Sequence, residues 1–369
     1  MTTYQFETPC LVANFSIVKR NIRKMQDLCN RYGCLLRPHI KTHKSVEIAR
    51  MQVNAGAVGI TCAKVSEAEV MAEGGLLDIF IAYPIIGQVK IDRAMALAKK
   101  VKRLILAVDS FEGARAISGA AKKHGQDVEI RLEIDTGAKR TGVPMQEAAL
   151  LAAKIANLPN LRLTGLYTFK SMFHNSLPTT DSREAAKEEC ELLDQVKKTL
   201  ALQGISILDL SAGSTPTGPD CAATGLVNEI RPGTYVFNDQ MCLQNNACGP
   251  EDIAARIIAT VVSAPAPEYA VIDGGSKTFP TDIALNKEPL NLHSYGYVKG
   301  RGNLRLDRVN EEHGMIRTDD GSPTGLNVGD ILELIPAHIC TAVNLQNHIY
   351  VEEGGTVRKL SVDARGKLV

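Results

Sequence analysis

The stretch LLRPHIKTHKS, Leu35 to Ser45, begins as a hydrophobic run and ends in a cluster of basic and titratable side chains. The run predicts a β-strand, and a cluster directly after a strand lies where parallel β/α folds carry their functional groups. Lys41 stands out, because positive charge from Arg37 and Lys44, together with partial burial, lowers the pKa of a lysine and makes it a nucleophile. The alternative is a solvated loop patch without a chemical role.

The same alternation of a short β-rich run and an amphipathic helical stretch continues along the chain to about Pro232. Eight strands separated by helices favour a (β/α)8 TIM-type barrel over a doubly wound sheet. The predicted strands are Leu35–Pro38, Val58–Cys62, Asp78–Tyr83, Arg103–Val108, Val128–Ile134, Leu161–Tyr167, Ser206–Leu210 and Asn228–Arg231.

The sequence changes character after about Asn245, where β-rich runs are separated by Gly, Pro and Asn and no long helix is evident. This pattern predicts a second, antiparallel β domain. We therefore expect a barrel domain over residues 14–244 and a β domain over residues 245–369, to which residues 1–13 can add a strand.

The charges nearly cancel, with 42 Lys and Arg against 41 Asp and Glu, so nucleic acid is not an expected partner and a small molecule is. The nine cysteines contain no C-x-x-C pair, which is typical of a reduced, cytoplasmic protein. No apolar run approaches the ~20 residues that cross a bilayer, and the chain does not begin like a secretory leader. We expect no membrane partner.

Two further motifs follow predicted barrel strands. EIDTGAKRTG, Glu133 to Gly142, places Asp135 and Arg140 at the barrel rim, although a structural turn also accounts for it. SAGSTPTG, Ser211 to Gly218, offers unobstructed backbone N–H groups of the kind that bind phosphate. In barrels a phosphate site often lies after strands seven and eight, and RPGTY, with Tyr235, follows strand eight.

PAHICTAVN, Pro336 to Asn344, lies in the predicted β domain. His338 and Cys340, two apart on what reads as an extended run, would point to the same face and could share a zinc ion, with further positions left for substrate and water. A buried cysteine beside a hydrogen-bonded core histidine is the alternative.

Taken together, RPHIKTHKS, EIDTGAKRTG, SAGSTPTG with EIRPGTYVFND, and PAHICTAVN resemble the pyridoxal-phosphate (PLP) enzymes of the D-serine dehydratase and D-threonine aldolase group. DGGSKTFPTD and EEHG fit the same pattern. The resemblance extends over nearly the whole chain. It implies an alanine-racemase-like fold, PLP fold type III, which agrees with a barrel followed by a β domain.

The resemblance also implies roles for particular residues. Lys41 is the expected Schiff-base lysine, and His338 with Cys340 the expected ligands of a divalent metal, zinc or else manganese or magnesium. His174 is an expected acid or base near the substrate β-hydroxyl. The expected cofactor-binding residues are Lys41, Arg140, Tyr167, Gly213, Ser214, Thr215 and Tyr235.

The implied activity is a metal-assisted lyase reaction on a D-3-hydroxy-amino acid, by dehydration or by retro-aldol cleavage. The His-x-Cys pair favours dehydration. An amino-acid racemase, with Tyr295 or Tyr297 as second base, and a non-catalytic PLP-binding protein are the alternatives. A homodimer is expected by the same resemblance. The segment after Tyr167 departs from the pattern: Phe169 and Met172 make it bulkier, and Lys170 either meets a second substrate carboxylate or is solvated.

Overall fold

The computed structural model describes residues 7–369. The strands are β1 Cys10–Asn14, β2 Leu35–Leu36, β3 Ile60–Cys62, β4 Asp78–Ile81, β5 Arg103–Val108, β6 Val128–Asp135, β7 Val143–Pro144, β8 Leu161–Tyr167, β9 Phe173–His174, β10 Leu177–Pro178, β11 Asp209–Ala212, β12 Glu229–Ile230, β13 Ala255–Ala266, β14 Tyr269–Ile272, β15 Gly296–Val298, β16 Leu304–Val309, β17 Gly314–Thr318, β18 Ile331–Pro336, β19 His348–Glu353 and β20 Thr356–Ser361.

The helices are α1 Phe15–Tyr32, α2 Val46–Asn54, α3 Val65–Glu73, α4 Gln88–Ala98, α5 Phe111–His124, α6 Met145–Ala156, α7 Ser182–Leu202, α8 Gly218–Thr224, α9 Gln240–Gln244 and α10 Ile339–Asn344. The chain divides into two compact units. The β unit comprises the described residues up to Asn21, with Thr42–Lys44 and Thr234–Arg365, and the barrel unit comprises Ile22–Lys41, Ser45–Gly233 and Gly366–Val369. The domain boundary placed after residue 244 stays a prediction.

The barrel unit contains eight parallel strands in the order β2-β12-β11-β8-β6-β5-β4-β3. A parallel bridge between His39 and Thr61 joins the first strand of this order to the last. Backbone hydrogen bonds from Val58 to Leu36 (3.0 Å) and from Thr61 to Pro38 (2.8 Å) complete the same junction. The predicted (β/α)8 barrel is therefore confirmed.

Local sequence explains why the helices between these strands begin and end where they do. The Ser110 side chain accepts a hydrogen bond from the Gly113 backbone at the start of α5, and Gly125 ends that helix in the left-handed conformation (φ 63°). Asp181 caps α7 in the same way by accepting from the backbones of Arg183 and Glu184. Polar residues at the start of a helix and glycine after its end are the local signals that set these bounds.

Buried ion pairs lie inside the barrel. The side chains of Arg37 and Arg131 are both fully buried, and both bind Glu229, at 2.7 and 2.5 Å respectively. The Ser211 hydroxyl donates to the same carboxylate at 2.6 Å. These contacts hold the pKa of Glu229 far below its usual range: burial alone would raise it, but Arg131 and Arg37 outweigh that effect.

The β unit is built around a closed antiparallel sheet. Strand β13 pairs with β18 on one side and β14 on the other, and β14-β17-β16-β15-β18 completes the circle. Strand β1 pairs antiparallel with β13 and parallel with β19. The predicted C-terminal antiparallel domain is thus confirmed. Of residues 1–13, expected to add a strand, residues 1–6 lie outside the described residues, and Cys10–Asn14 forms β1.

Within residues 7–369, no helix has the length and apolar character needed to span a bilayer.

Candidate functional site

Lys41 lies directly after the first barrel strand, in a 3-10 turn over Ile40–Thr42. Its side chain is exposed, and its backbone N–H donates to Nδ1 of His39 at 3.4 Å. Because β2 is parallel to the other barrel strands, the turn belongs to the rim formed by their carboxyl ends, where barrel proteins carry reactive groups.

Arg140 and Phe169 lie near Lys41 on this rim. Arg140 follows β6 and Phe169 follows β8. The Phe169 ring centroid is 5.8 Å from the Lys41 ammonium nitrogen and 4.4 Å from the Arg140 guanidinium carbon. The structure therefore brings two of the predicted residues together around an aromatic ring that the sequence singled out only for its bulk.

Tyr167, at the end of β8, is buried, and its hydroxyl donates to Glu133 at 2.8 Å. The Thr141 hydroxyl donates to the other oxygen of the same carboxylate at 2.9 Å. Burial raises the pKa of Glu133, and burial together with this carboxylate raises the pKa of Tyr167. The Arg231 guanidinium lies over the Tyr167 ring at 5.2 Å, so hydrogen bonds and packing both fix the phenol.

The predicted phosphate loop follows β11. Gly213 has φ +79°, and a Cβ there would come within 2.9 Å of the Gly218 Cα, so only glycine fits. Ser214 and Thr215 are nearly buried, and the Thr217 hydroxyl accepts from the Ser214 backbone at 3.0 Å. The loop is thus closely folded, with its backbone free of side-chain obstruction at Gly213. Tyr235 belongs to the β unit, in the 3-10 turn Thr234–Val236, and is buried.

His174 occupies the two-residue strand β9, and its ring faces helix α7. Its Nδ1 lies 3.3 Å from Glu188 and its Nε2 lies 4.0 Å from Glu184. Its role as an acid or base stays a prediction.

The expectation that Arg37 and Lys44 tune Lys41 is wrong for Arg37, because the Arg37 guanidinium is neutralised by the Glu229 carboxylate and by Asp78. Lys44 belongs to the β unit, where its ammonium donates to the Ala364 carbonyl at 3.4 Å. Asp135 accepts from the backbones of Gly137 and Lys139, so it shapes its own turn.

His338 and Cys340 lie together in the β unit, but not on a strand. Strand β18 ends at Pro336, His338 is the N-cap of α10, and Cys340 is in its first turn. The predicted extended run is therefore wrong, because the chain turns into a helix directly after the strand. The two side chains nevertheless lie close enough that each shifts the pKa of the other.

Electrostatics couple this histidine and cysteine. Burial would lower the pKa of His338, but Cys340 and Asp282 raise it to about 11. Burial would raise the pKa of Cys340, but His338 lowers it. The Asp282 carboxylate accepts from His338 Nδ1 at 2.8 Å and from the Thr341 hydroxyl at 2.9 Å.

A soft imidazole–thiolate pair whose histidine is oriented by a carboxylate is the donor chemistry that zinc sites use. Within residues 7–369, however, no group of three or more His, Cys, Asp and Glu side chains is arranged to hold a metal. The role of the pair as metal ligands stays a prediction.

Sequence reasoning missed Glu133, Arg231 and Asp282 as site residues. Each lies in a motif that was noticed, EIDTGAKRTG, EIRPGTYVFND or DGGSKTFPTD. A signal existed for Glu133 and Tyr167, since both lie near the carboxyl ends of neighbouring parallel strands, where the register aligns them. For Asp282 and His338, far apart in the chain, the sequence holds no signal.

A closed parallel barrel with a lysine on its rim, combined with a closed antiparallel sheet, defines the class of proteins with an alanine-racemase-like fold. Residues 14–240 match the family described as "Alanine racemase, N-terminal domain", and residues 254–352 match the "Putative serine dehydratase domain". The chain belongs to this family, in its D-serine dehydratase and D-threonine aldolase branch, and the resemblance stated above is confirmed.

Individual relatives align over almost the whole chain. It is 32% identical to 3-hydroxy-D-aspartate aldolase of Paracoccus denitrificans, covering 100% of this chain and 94% of the relative. It is 29% identical to D-threonine aldolase of Arthrobacter sp., covering 98% and 93%. The solved structure of D-threo-3-hydroxyaspartate dehydratase from Delftia sp. HT23 is 30% identical, covers 97% of each chain and has a TM-score of 0.88.

Proposed function

We propose that this protein is a PLP-dependent, divalent-metal-assisted lyase of D-3-hydroxy-amino acids, with dehydration as the favoured route. The observation that carries the proposal is the position of Lys41 and Arg140 around Phe169 at the carboxyl ends of the barrel strands. The names of the relatives, which are aldolases and dehydratases of D-3-hydroxy-amino acids, support the same substrate class.

The barrel residues suit PLP in three respects. Lys41 supplies an exposed amine to anchor it, Arg140 supplies a cation for its ring oxygen, and the turn Gly213–Ser214–Thr215 supplies backbone N–H groups for its phosphate, with close packing against Gly218 that keeps residue 213 a glycine. When bound, PLP supplies an electron sink that stabilises negative charge at the substrate Cα.

Lys41, once its amine is free, is the base we propose for dehydration. It takes the Cα proton, the β-hydroxyl leaves, and D-serine yields pyruvate and ammonia overall. In the cleavage route the β-hydroxyl proton is removed instead and the Cα–Cβ bond breaks, so that D-threonine yields glycine and acetaldehyde. His174 is the proposed acid or base at that hydroxyl, and the hydrogen bond between Tyr167 and Glu133 keeps the floor of the site rigid.

The metal in this proposal is zinc, held by His338 and Cys340. A divalent cation supplies Lewis acidity that stabilises negative charge on a substrate oxygen. The His338 side chain lowers the pKa of the Cys340 thiol, which supports this assignment because the thiolate is the form that binds metal.

Incubation of the PLP-loaded protein with D-serine, D-threonine and D-3-hydroxyaspartate, with and without a chelator, tests the proposal. We expect a 2-oxo acid and ammonia, and a rate that falls when the chelator removes the metal. Glycine and an aldehyde would instead establish the cleavage route. Interconversion of enantiomers that is insensitive to the chelator would overturn the lyase proposal in favour of a racemase.

We expect Asp282→Asn to weaken zinc binding by about 10- to 100-fold, because this carboxylate accepts from His338 Nδ1 and so orients the ring. Equilibrium dialysis against a zinc buffer measures the affinity directly. Asp319→Asn, at an exposed aspartate of the same unit, is the matched control. Equal affinities in the two variants would contradict a positioning role for Asp282.

We further propose a cytoplasmic homodimer. The family resemblance supports the dimer, and the absence of any C-x-x-C pair among the nine cysteines supports a reducing compartment. Light scattering coupled to gel filtration measures the mass, and a value of one chain across a wide range of concentrations would contradict the dimer.

A further inference from the structure

Phe169 occupies a central place on the barrel rim. It is half-buried and follows β8, with its ring against Lys41 and Arg140. An aromatic face attracts cations and presents no hydrogen-bonding group of its own. Whatever approaches between these two basic residues therefore meets an apolar wall.

The backbone on the amino side of Phe169 is anchored to the barrel. Thr168 is fully buried, and its N–H donates to the Ser211 carbonyl at 3.1 Å. Its carbonyl accepts from the Arg231 guanidinium at 2.5 Å, and its hydroxyl pairs with that of Thr136 at 2.7 Å. All three polar groups of Thr168 are thus engaged.

The backbone on the carboxyl side is anchored to helix α7. The Lys170 N–H donates to Glu189 at 2.9 Å, and its fully buried ammonium pairs with Glu188. The expectation of a solvated Lys170 is therefore wrong. Since both neighbours are fixed, the position of the Phe169 ring is determined by the fold rather than by a mobile loop.

Lys170 is also poorly suited to receive a second substrate carboxylate. Its charge is already matched by Glu188, and Glu189 lies beside it, fully buried. A further carboxylate would meet two existing carboxylates, and like charges in a buried setting repel strongly. Lys41 and Arg140, the other cations near the ring, are committed to the cofactor in the proposed function.

We infer that Phe169 determines substrate specificity, and that the site selects D-3-hydroxy-amino acids whose β-substituent is uncharged over those that carry a second carboxylate. The inference rests on the proposed function and narrows its substrate class. Hydrogen or an alkyl group at Cβ can pack on the ring, whereas a carboxylate there would lose hydration against a ring that offers it no hydrogen bond.

Binding of substrate analogues that lack the β-hydroxyl tests this inference separately from turnover. D-2-Aminobutyrate corresponds to threonine and D-aspartate to 3-hydroxyaspartate, and neither can lose a β-hydroxyl or undergo retro-aldol cleavage. Titrating each into the PLP-loaded protein and following the visible cofactor band gives two dissociation constants. We expect D-2-aminobutyrate to bind at least ~10-fold more tightly, the discrimination that a small apolar contact provides.

Variants of Phe169 test whether its ring causes the difference between the two dissociation constants. Phe169→Ala should lower the ratio of the two dissociation constants several-fold, and Phe169→Leu, which keeps an apolar surface, should preserve most of it. Phe173→Ala, a phenylalanine of similar burial in the same segment, is the matched control and should leave the ratio unchanged.

Equal or tighter binding of D-aspartate would overturn the inference, as would an unchanged ratio in Phe169→Ala or the lack of a spectral change with either ligand. If D-2-aminobutyrate binds more tightly than D-aspartate but no D-3-hydroxy-amino acid yields lyase products, the proposed reaction is rejected and the inferred ligand preference stands. If lyase products form but D-aspartate binds more tightly, the proposed reaction stands and the inferred preference is rejected.

Discussion

Replacing Lys41 by alanine is expected to remove lyase turnover, with kcat/KM reduced by on the order of 10³-fold or more, the size of effect seen when a catalytic nucleophile or base is deleted. The proposed function gives this amine two tasks, to anchor the cofactor and to take a proton from the substrate Cα. The single change removes both functions at once. Product assays and the visible absorbance of the protein with added PLP measure the two tasks separately.

Two controls separate the amine from its charge. Lys41→Arg keeps a cation beside Phe169, but a guanidinium is not a nucleophile at neutral pH, so we expect this variant to be as inactive as the alanine variant. Lys122→Ala, at an exposed lysine on α5, should behave like the wild type. Substantial turnover by Lys41→Arg would show that Lys41 acts through its charge alone.

The largest effect on stability is expected from Glu229→Gln, which should lower the free energy of unfolding by about 3–5 kcal/mol. The glutamine keeps the shape of the side chain but removes the charge that compensates Arg37 and Arg131, both fully buried. Chemical denaturation followed by far-UV circular dichroism measures the change. Glu191→Gln, on the exposed surface of α7, removes a weak surface ion pair and should change stability by less than about 0.5 kcal/mol.

Glu229 should also influence how the free energy of unfolding changes at acid pH. Because the pKa of Glu229 is lower in the folded protein than in the unfolded chain, its contribution is present above the unfolded pKa and is lost as the pH falls toward the folded one. The stability of Glu229→Gln should therefore fall less steeply below about pH 4.5 than that of the wild type. Parallel profiles for the two proteins would show that the arginines are compensated elsewhere.

The barrel could be predicted from the sequence because its signals are local. The strands Arg103–Val108 and Leu161–Tyr167 have the predicted bounds; the first is an almost continuous apolar run, and both are followed directly by polar residues. The short strands that close the barrel were predicted too long. There the bulges, bridges and turns that end each strand depend on its neighbours rather than on its own residues.

The chemical surroundings of the site depended on contacts that sequence spacing does not reveal. From the sequence alone, Lys170 looks like a surface lysine. Its ammonium can be buried because it pairs with Glu188 of helix α7, which begins only at Ser182. His338 and Cys340 were expected to share a face on an extended run, but the chain turns into a helix at His338, and their role as a metal pair stays a prediction. The residue types in the motifs indicated the kind of chemistry, but the side chains that contact each site residue depend on tertiary packing.

The pairing of β1 bears on how the polypeptide folds as it is synthesised. Cys10 in this strand aligns with Ile258, and Val12 aligns with Tyr350, so β1 is synthesised well before the strands with which it pairs. Contacts of such long sequence separation form slowly, because a large loop must close before they form. During that interval the barrel segments can assemble while an apolar strand stays exposed. We expect efficient production in the cell to depend on chaperones that shield this strand until translation ends.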